Sequence, residues 1–459
     1  MLELHELMHL LAPALGANVG IIEEIVKGIY RVSSGGVTMK NIARWTGKGG
    51  GYRNIQRFFA QPIDWLALNM LMLTSIYASS SSKDRYIIAL DEVVESKAGN
   101  STFGLAWFYS SIAGRVIWSI SNHVLSLVDT KEEKSFVLTH EQTEKSKDKP
   151  QRKKKTQKKR KKKKESNVKK PKGKAGRPKG SKNKQNIKHT GLLYESFERL
   201  LSLVVPLILV WYPMLKYVVA DGAYGRKTCC LIVREFGLEL ISKLNRNTGL
   251  YLPYQGRYGG RGRPRKYGAK LDYQNLPAEY LVSEVASDNM VTKTYQIKGV
   301  WTRRMPYLLN VVIIIKIDQL TQKSGRVVLF STDLDLETEK ILKFYSLRFQ
   351  IEFNFRDAKQ YFGLADFKNI KQQQVNNAVG LALFMDNISM ILIEQAQEEW
   401  KEEKVSIQDL KAYFRAEKYL EDILNTLEIP MEDILNQPKI QQILKIGAVN
   451  RTRFAKMPS

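Results

Sequence analysis

The chain has 459 residues, 43% hydrophobic and 10% aromatic, with 30 glycines and 14 prolines. That composition excludes a wholly disordered, collagen-like or linker protein and allows about three domains or one large domain with insertions. The net charge of +27 is concentrated, because residues 151–188 hold 20 of the 73 lysines and arginines and one acid, Glu165; the fitting partner for such a segment is a polyanion, most simply nucleic acid. Cys229 and Cys230 are the only cysteines and the five histidines are scattered, which argues against disulfides and structural zinc and for a reducing, cytoplasmic setting. Met1–Glu6 lacks the basic region of a secretory signal.

Residues 1–82 read as a separate helical domain, with apolar residues at helical spacing in Leu4–Leu15 and Ile21–Tyr30. Val37–Trp45 and Tyr52–Phe59 flank a glycine-rich turn, Gly47–Gly51. This pattern fits a helix-turn-helix that presents Arg53, Asn54 and Arg57 to DNA, and equally a bundle with solvated charges. Tyr86–Leu90 is a continuous apolar run, the mark of a strand buried on both faces. Phe103–Ile112 and Val116–Ser121 complete a predicted three-stranded meander, and a basic insertion, 131–190, is expected to be disordered without DNA.

Next come a helix over 192–211, a strand Tyr217–Ala220, a helix Thr228–Phe236 and a strand Leu238–Ser242. Leu200–Ala220 approaches membrane-spanning length, but Pro206, Pro213 and Lys216 divide it, so a buried helix and strand are predicted and no membrane partner. Residues 246–335 read as a strand-rich insertion containing Pro306–Ile317 and Arg326–Ser331, while 336–363, 371–398 and 405–447 are helical. Three strands followed by alternating helix and strand resemble a ribonuclease-H-like mixed sheet. The predicted class is therefore α/β: that core over 83–245 and 336–365, with helical domains at 1–82 and 366–459.

Two buried strands end in an acid, Asp91 after Tyr86–Leu90 and Asp221 after Tyr217–Ala220, where parallel sheets place ligand sites. If 336–363 is one continuous helix, Tyr345, Arg348, Glu352, Arg356 and Lys359 fall within a stripe about 80° wide. Phe344, Leu347, Ile351, Phe355, Ala358 and Phe362 line the adjoining face. Three carboxylates from two strands and a helix suit a pair of magnesium ions that assist phosphoryl transfer. In this reading Asp91 bridges the ions, Asp221 and Glu352 hold one each, and Arg348 and Lys359 grip DNA phosphates.

The string Tyr345-x2-Arg348-x3-Glu352-x6-Lys359 resembles the Y-R-E-K signature of bacterial insertion-sequence transposases with a DDE triad. The resemblance covers roughly 83–365 and implies that Asp91, Asp221 and Glu352 are the catalytic acids. It also implies two Mg2+ ions (with Mn2+ as a substitute), element ends and target as double-stranded DNA partners, and a homodimer on DNA in a bacterial cytoplasm. Glu92 after the first acid departs from the small hydroxyl residue such a family would carry. The family's strand-rich insertion closes over the DNA end, which makes Trp301 a candidate wedge against a displaced base.

Ala175–Gly180 and Gly260–Lys266 resemble AT-hooks, with Arg177, Lys179, Arg261, Arg263 and Arg265 as candidate DNA contacts. The expected function is a DNA transposase. Its rivals are an inactive DNA-binding descendant of one and a metal-dependent nuclease that cuts without joining.

Overall fold

The computed structural model describes residues 4–47, 49–76, 82, 84–145, 191–260, 264–287, 289–430, 434 and 437–449. At its centre is a mixed sheet. β1 (Tyr86–Ser96), β5 (Tyr217–Ala220) and β6 (Glu239–Leu244) run parallel to one another in that order. β3 (Arg115–Asp129) lies antiparallel to the other edge of β1, and its long free edge takes β2 (Ala106–Ser110) at one end and β4 (Lys134–Gln142) at the other. The core has the predicted ribonuclease-H-like arrangement, because its central strands carry apolar runs that can be buried on both faces.

The insertion continues the same sheet. β12 (Ser324–Ser331) pairs with β6, and β11 (Leu309–Asp318) and β10 (Met290–Thr302) follow outward. β9 (Leu281–Ser287) lies along one end of β10, while β7 (Leu250–Pro253) and β8 (Tyr267–Lys270) extend the sheet from the other end.

Alternating side chains of the central strands feed two cores. Ile88, Leu90, Val218 and Ala220 face one side, with α7 (Leu192–Trp211), α8 (Lys227–Glu235), α10 (Gln350–Gln360) and α11 (Gln372–Trp400) packed there. Ile87, Ala89, Tyr217 and Val219 face the other, covered by α9 (Thr338–Leu347). The predicted single helix over 336–363 is therefore two helices. Ile341, Phe344 and Leu347 belong to one core, Ile351, Phe355 and Ala358 to the other. The chain changes face at Arg348–Phe349, where three-residue bonds such as Ile351 N–H to the Arg348 carbonyl (3.2 Å) tighten the turn.

Three further expectations change. β1 does not end at Asp91 but runs on to Ser96, although its parallel pairing with β5 stops at Leu90 and Ala220. The basic insertion does not begin at 131, because β4 occupies Lys134–Gln142 with Phe136, Val137 and Leu138 in the core; residues 146–190 lie outside the described residues. Nor do the N-terminal helices stand apart. α3 (Val19–Arg31), α5 (Tyr52–Ala60) and α6 (Trp65–Ile76) pack on α11 and α12 (Ile407–Thr426), sharing one apolar core with the sheet.

Helix α11 is the pillar of this assembly. Asn377 accepts from Trp65 Nε1 (3.1 Å) and donates to the Phe59 carbonyl (2.9 Å), while Asn387 bonds Asn69 and both main-chain groups of Val137. Gly380 lets the Trp65 ring lie directly on the helix, where any Cβ would collide with the ring. α11 is long and apolar enough to cross a membrane, and 83% of that apolar window is buried inside the protein.

Candidate active site

Strand β1 delivers Asp91 just where its pairing with β5 ends, and β5 stops one residue before Asp221. The two aspartates thus follow hydrogen-bonded neighbours, Leu90 and Ala220, on adjacent parallel strands about 4.8 Å apart. Asp221 opens a tight turn: its Oδ1 accepts the Ala223 N–H (2.8 Å), and its carbonyl accepts the Ser242 hydroxyl (2.7 Å). Gly225 lies so close to the Lys243 carbonyl that a Cβ would overlap it, so this glycine keeps the turn pressed against β6. Glu352 comes from the first turn of α10, immediately after the crossing of the sheet.

All three acids line one cleft of about 770 Å3, together with Glu92, Tyr224, Arg356 and Lys359. Arg348 ties two of them: one η nitrogen pairs with Asp91, the other with Glu352 at 3.1 Å. Burial is the main cause that pushes the Asp91 carboxyl up to about 6; Arg348 opposes it, and Asp221 and Glu352 add to it. The Tyr224 hydroxyl is buried with no hydrogen-bond partner among the described residues, and Glu92, Asp91 and Asp221 join burial in raising its pKa.

The predicted stripe is only partly realised, because the projection of one unbroken helix fails at the crossing. Arg348 does not point outward to phosphate; it is nearly buried between the acids. Tyr345 is half-buried against the α9 core beneath the Arg348 guanidinium, 5.9 Å from the ring centre. Lys359 binds back to β1 through the Val94 carbonyl (3.1 Å) and Glu95 (2.9 Å). Arg356 is exposed, pairs with Asp357 (2.9 Å) and remains on the cleft wall.

Glu92 lines the same cleft but accepts from Ser121 instead of from Arg348. Lys145, Tyr109 and Tyr224 also line the cleft and were not singled out by sequence. Lys145 and Tyr109 reach it through the β2–β3 hairpin and the end of β4, so no local motif marks them. The Tyr224 signal was present in Asp221-Gly-Ala-Tyr.

Away from the cleft, Arg53, Asn54 and Arg57 are exposed on α5, where the Asn54 side chain bonds the Gly49 carbonyl at 2.8 Å. Trp301 is half-buried under the Lys266 ammonium, 3.2 Å from its ring centre, and Arg265 lies over Tyr254. Arg177, Lys179, Arg261 and Arg263 lie outside the described residues.

In chemistry, the carboxylates fit hard divalent cations. As they stand, no three acids, histidines or cysteines converge tightly enough to grip an ion among the described residues. The guanidinium of Arg348 supplies the positive charge between Asp91 and Glu352. Asp221 has no such cation among the described residues, so the cleft there retains acidic capacity.

No curated protein matches the chain. The family model for the DDE superfamily endonuclease matches residues 31–304, a span that includes Asp91 and Asp221 and stops before Glu352. With more than half its length matched, and with a ribonuclease-H-like core beneath that match, the chain belongs to the DDE superfamily endonucleases.

Proposed function

We propose that this protein is a DNA transposase of the Y-R-E-K group, cutting DNA at the ends of an insertion sequence and joining the freed ends to a target. The feature that supports this reading is the convergence of Asp91, Asp221 and Glu352, from three separate elements, on one cleft. DDE-type endonucleases use divalent metal ions, typically Mg2+. Asp91, Asp221 and Glu352 are the residues that would hold two of them. Such ions supply positive charge at the attacked phosphate and acidify the attacking water or hydroxyl.

The chain's own groups do the positioning. Arg348 keeps Asp91 and Glu352 at a fixed separation, and its cation holds two like charges together until substrate arrives. Lys359 fixes α10 to β1 through Val94 and Glu95, while Arg356, exposed on the wall and paired with Asp357, can trade that partner for a phosphate oxygen. In the first step water attacks phosphorus and the bond to the 3′ oxygen breaks, leaving a 3′-hydroxyl. In the second, that hydroxyl attacks a target phosphate and displaces another 3′ oxygen. In this joining step one phosphodiester is broken for each one made, so joining needs no external energy source. Tyr345, half-buried against the α9 core, is a packing and hydrogen-bonding group rather than a nucleophile.

The test is to incubate the purified protein with DNA flanking its gene and Mg2+, then map cut and joined ends. Cuts at element borders that vanish on chelation are expected; metal-independent cutting would refute the mechanism. A pre-cut end bearing a 3′-hydroxyl separates the two enzymatic readings, since a transposase transfers it to a second duplex and a simple nuclease does not. Binding with neither reaction would identify an inactive descendant.

A further inference from the structure

Beside the acid cleft lies a second feature that the catalytic reading does not use. A cavity of about 450 Å3 is lined by Gly222 and Gly225 of the Asp221 turn, by Arg226 and Lys227 at the start of α8, and by Arg303 and Arg304 after β10. A second cavity, of about 500 Å3, is lined by Arg246 and Tyr251 and again by Arg303 and Arg304. Asn245 and Thr248 also line both, so the two form one groove. Among the described residues, no aspartate or glutamate lines either part.

Arg226, Arg246, Arg303 and Arg304 are exposed and pair with no carboxylate among the described residues, and all four line one groove. Clustered positive charge of this kind attracts an external anion. Two are held in place without losing charge: Arg226 Nε donates to the Ala223 carbonyl (3.1 Å), and the Arg303 guanidinium sits 5.1 Å from the Tyr251 ring centre.

We propose that this groove is a track for the phosphodiester backbone of the DNA strand that leaves the acid cleft, resting on the nuclease reading above for the identity of the polymer. Two joined cavities with cations along both suit a succession of phosphates rather than a single small anion. Continuity supplies the direction. Gly222 and Gly225 line the groove, while Asp221, Ala223 and Tyr224 of the same turn line the cleft, so a strand attacked at Asp221 enters the groove next.

The experiment compares the full-length wild type with the triple variant Arg246→Gln, Arg303→Gln, Arg304→Gln on labelled duplex DNA, in chelator, across a series of salt concentrations. Each lost phosphate contact flattens the log–log salt dependence by about 0.9, so the triple variant is expected to be shallower by about 2.7. Phosphate-ethylation interference should vanish at a run of phosphates on one strand next to the cut position. The matching Arg→Lys triple should keep the wild-type slope, and Arg226→Gln, in a different element, should flatten it by about 0.9. A Gln triple that melts like wild type and keeps both slope and interference pattern overturns the track. If wild type cuts DNA while that result holds, only the track fails. If wild type binds with the predicted slopes but never cuts, the track survives and the catalytic reading fails.

Discussion

An arginine set between two carboxylates occurs twice among the described residues, and the two sites are built differently. In the terminal helices Arg31 of α3 meets Glu417 (3.2 Å) and Glu421 (3.8 Å), one turn apart on α12. Its remaining donors reach the Phe414 and Trp45 carbonyls, both at 3.3 Å. In the cleft Arg348 meets Asp91 and Glu352 from different elements, its Nε is buried without a partner among the described residues, and a third acid, Asp221, shares the cleft uncompensated. Of the other cations lining the cleft, Arg356 and Lys359 pair with Asp357 and Glu95, and Lys145 lies over the Phe108 ring at 4.1 Å. The first site is closed in charge and hydrogen bonding, as a structural joint should be. The second is left short of positive charge, as a site that recruits cations should be.

The comparison is sharpest under substitution. Glu352→Gln should lower DNA cleavage by about 10³-fold or more, because it removes a ligand whose ion stabilises transition-state charge by several kcal/mol. Its melting temperature without metal should hardly move. A nicking assay beside a melting curve checks both; unchanged nicking would remove Glu352 from the site. Arg31→Leu should do the reverse, costing about 3–5 kcal/mol of stability by stranding a buried carboxylate, Glu417. Urea denaturation measures that loss, and a cost under about 1 kcal/mol would mean Arg31 is no joint.

Smaller in scale is Gly225→Ala. The added Cβ meets the Lys243 carbonyl, main chain that cannot swing away, so a cost of about 1–3 kcal/mol is expected. Because the turn carries Asp221, cleavage should fall further than stability does. Equal losses in both would show that the turn does not position the acid.

Much of this was legible in the residues. Tyr86–Leu90 and Tyr217–Ala220 could only be strands buried on both faces, and each pointed to the acid that follows it. The helix over 192–211 matches α7. The break at Arg348–Phe349 was not legible, because Thr338–Gln360 contains neither proline nor glycine and the bend is imposed by packing on opposite faces. An unbroken projection therefore aimed Arg348 at DNA phosphates. β4 was masked by the charges around it, Lys131–Lys134 before and Glu141 onward after, despite its Phe136-Val137-Leu138 run. The union of the two terminal regions depends on contacts such as Tyr30 to Ser389 (2.7 Å), which local periodicity does not encode.

Behind the helix that carries Glu352 sits another buried acid, which takes the contrast to a group with no ion-pair partner among the described residues, Arg356 acting on it only at longer range. Asp386 of α11 accepts from Asn354 Nδ2 at 2.6 Å, and burial pushes its carboxyl up to about 8. In the unfolded chain it returns to the usual carboxylate value near 4. Between those values the folded state holds a proton that the unfolded state has released, so this group makes stability fall as pH rises from about 4 to about 8, at most about 1.4 kcal/mol per pH unit. Asp386→Asn keeps the shape and an acceptor for Asn354 while removing the titration. Denaturant midpoints measured at several pH values for both proteins should converge at low pH and separate as pH rises, with the variant the more stable. A difference that instead shrinks with rising pH would mean that Asp386 is ionised in the fold and compensated by a cation, which would make it a counterpart of Arg348's partners rather than a neutral core residue.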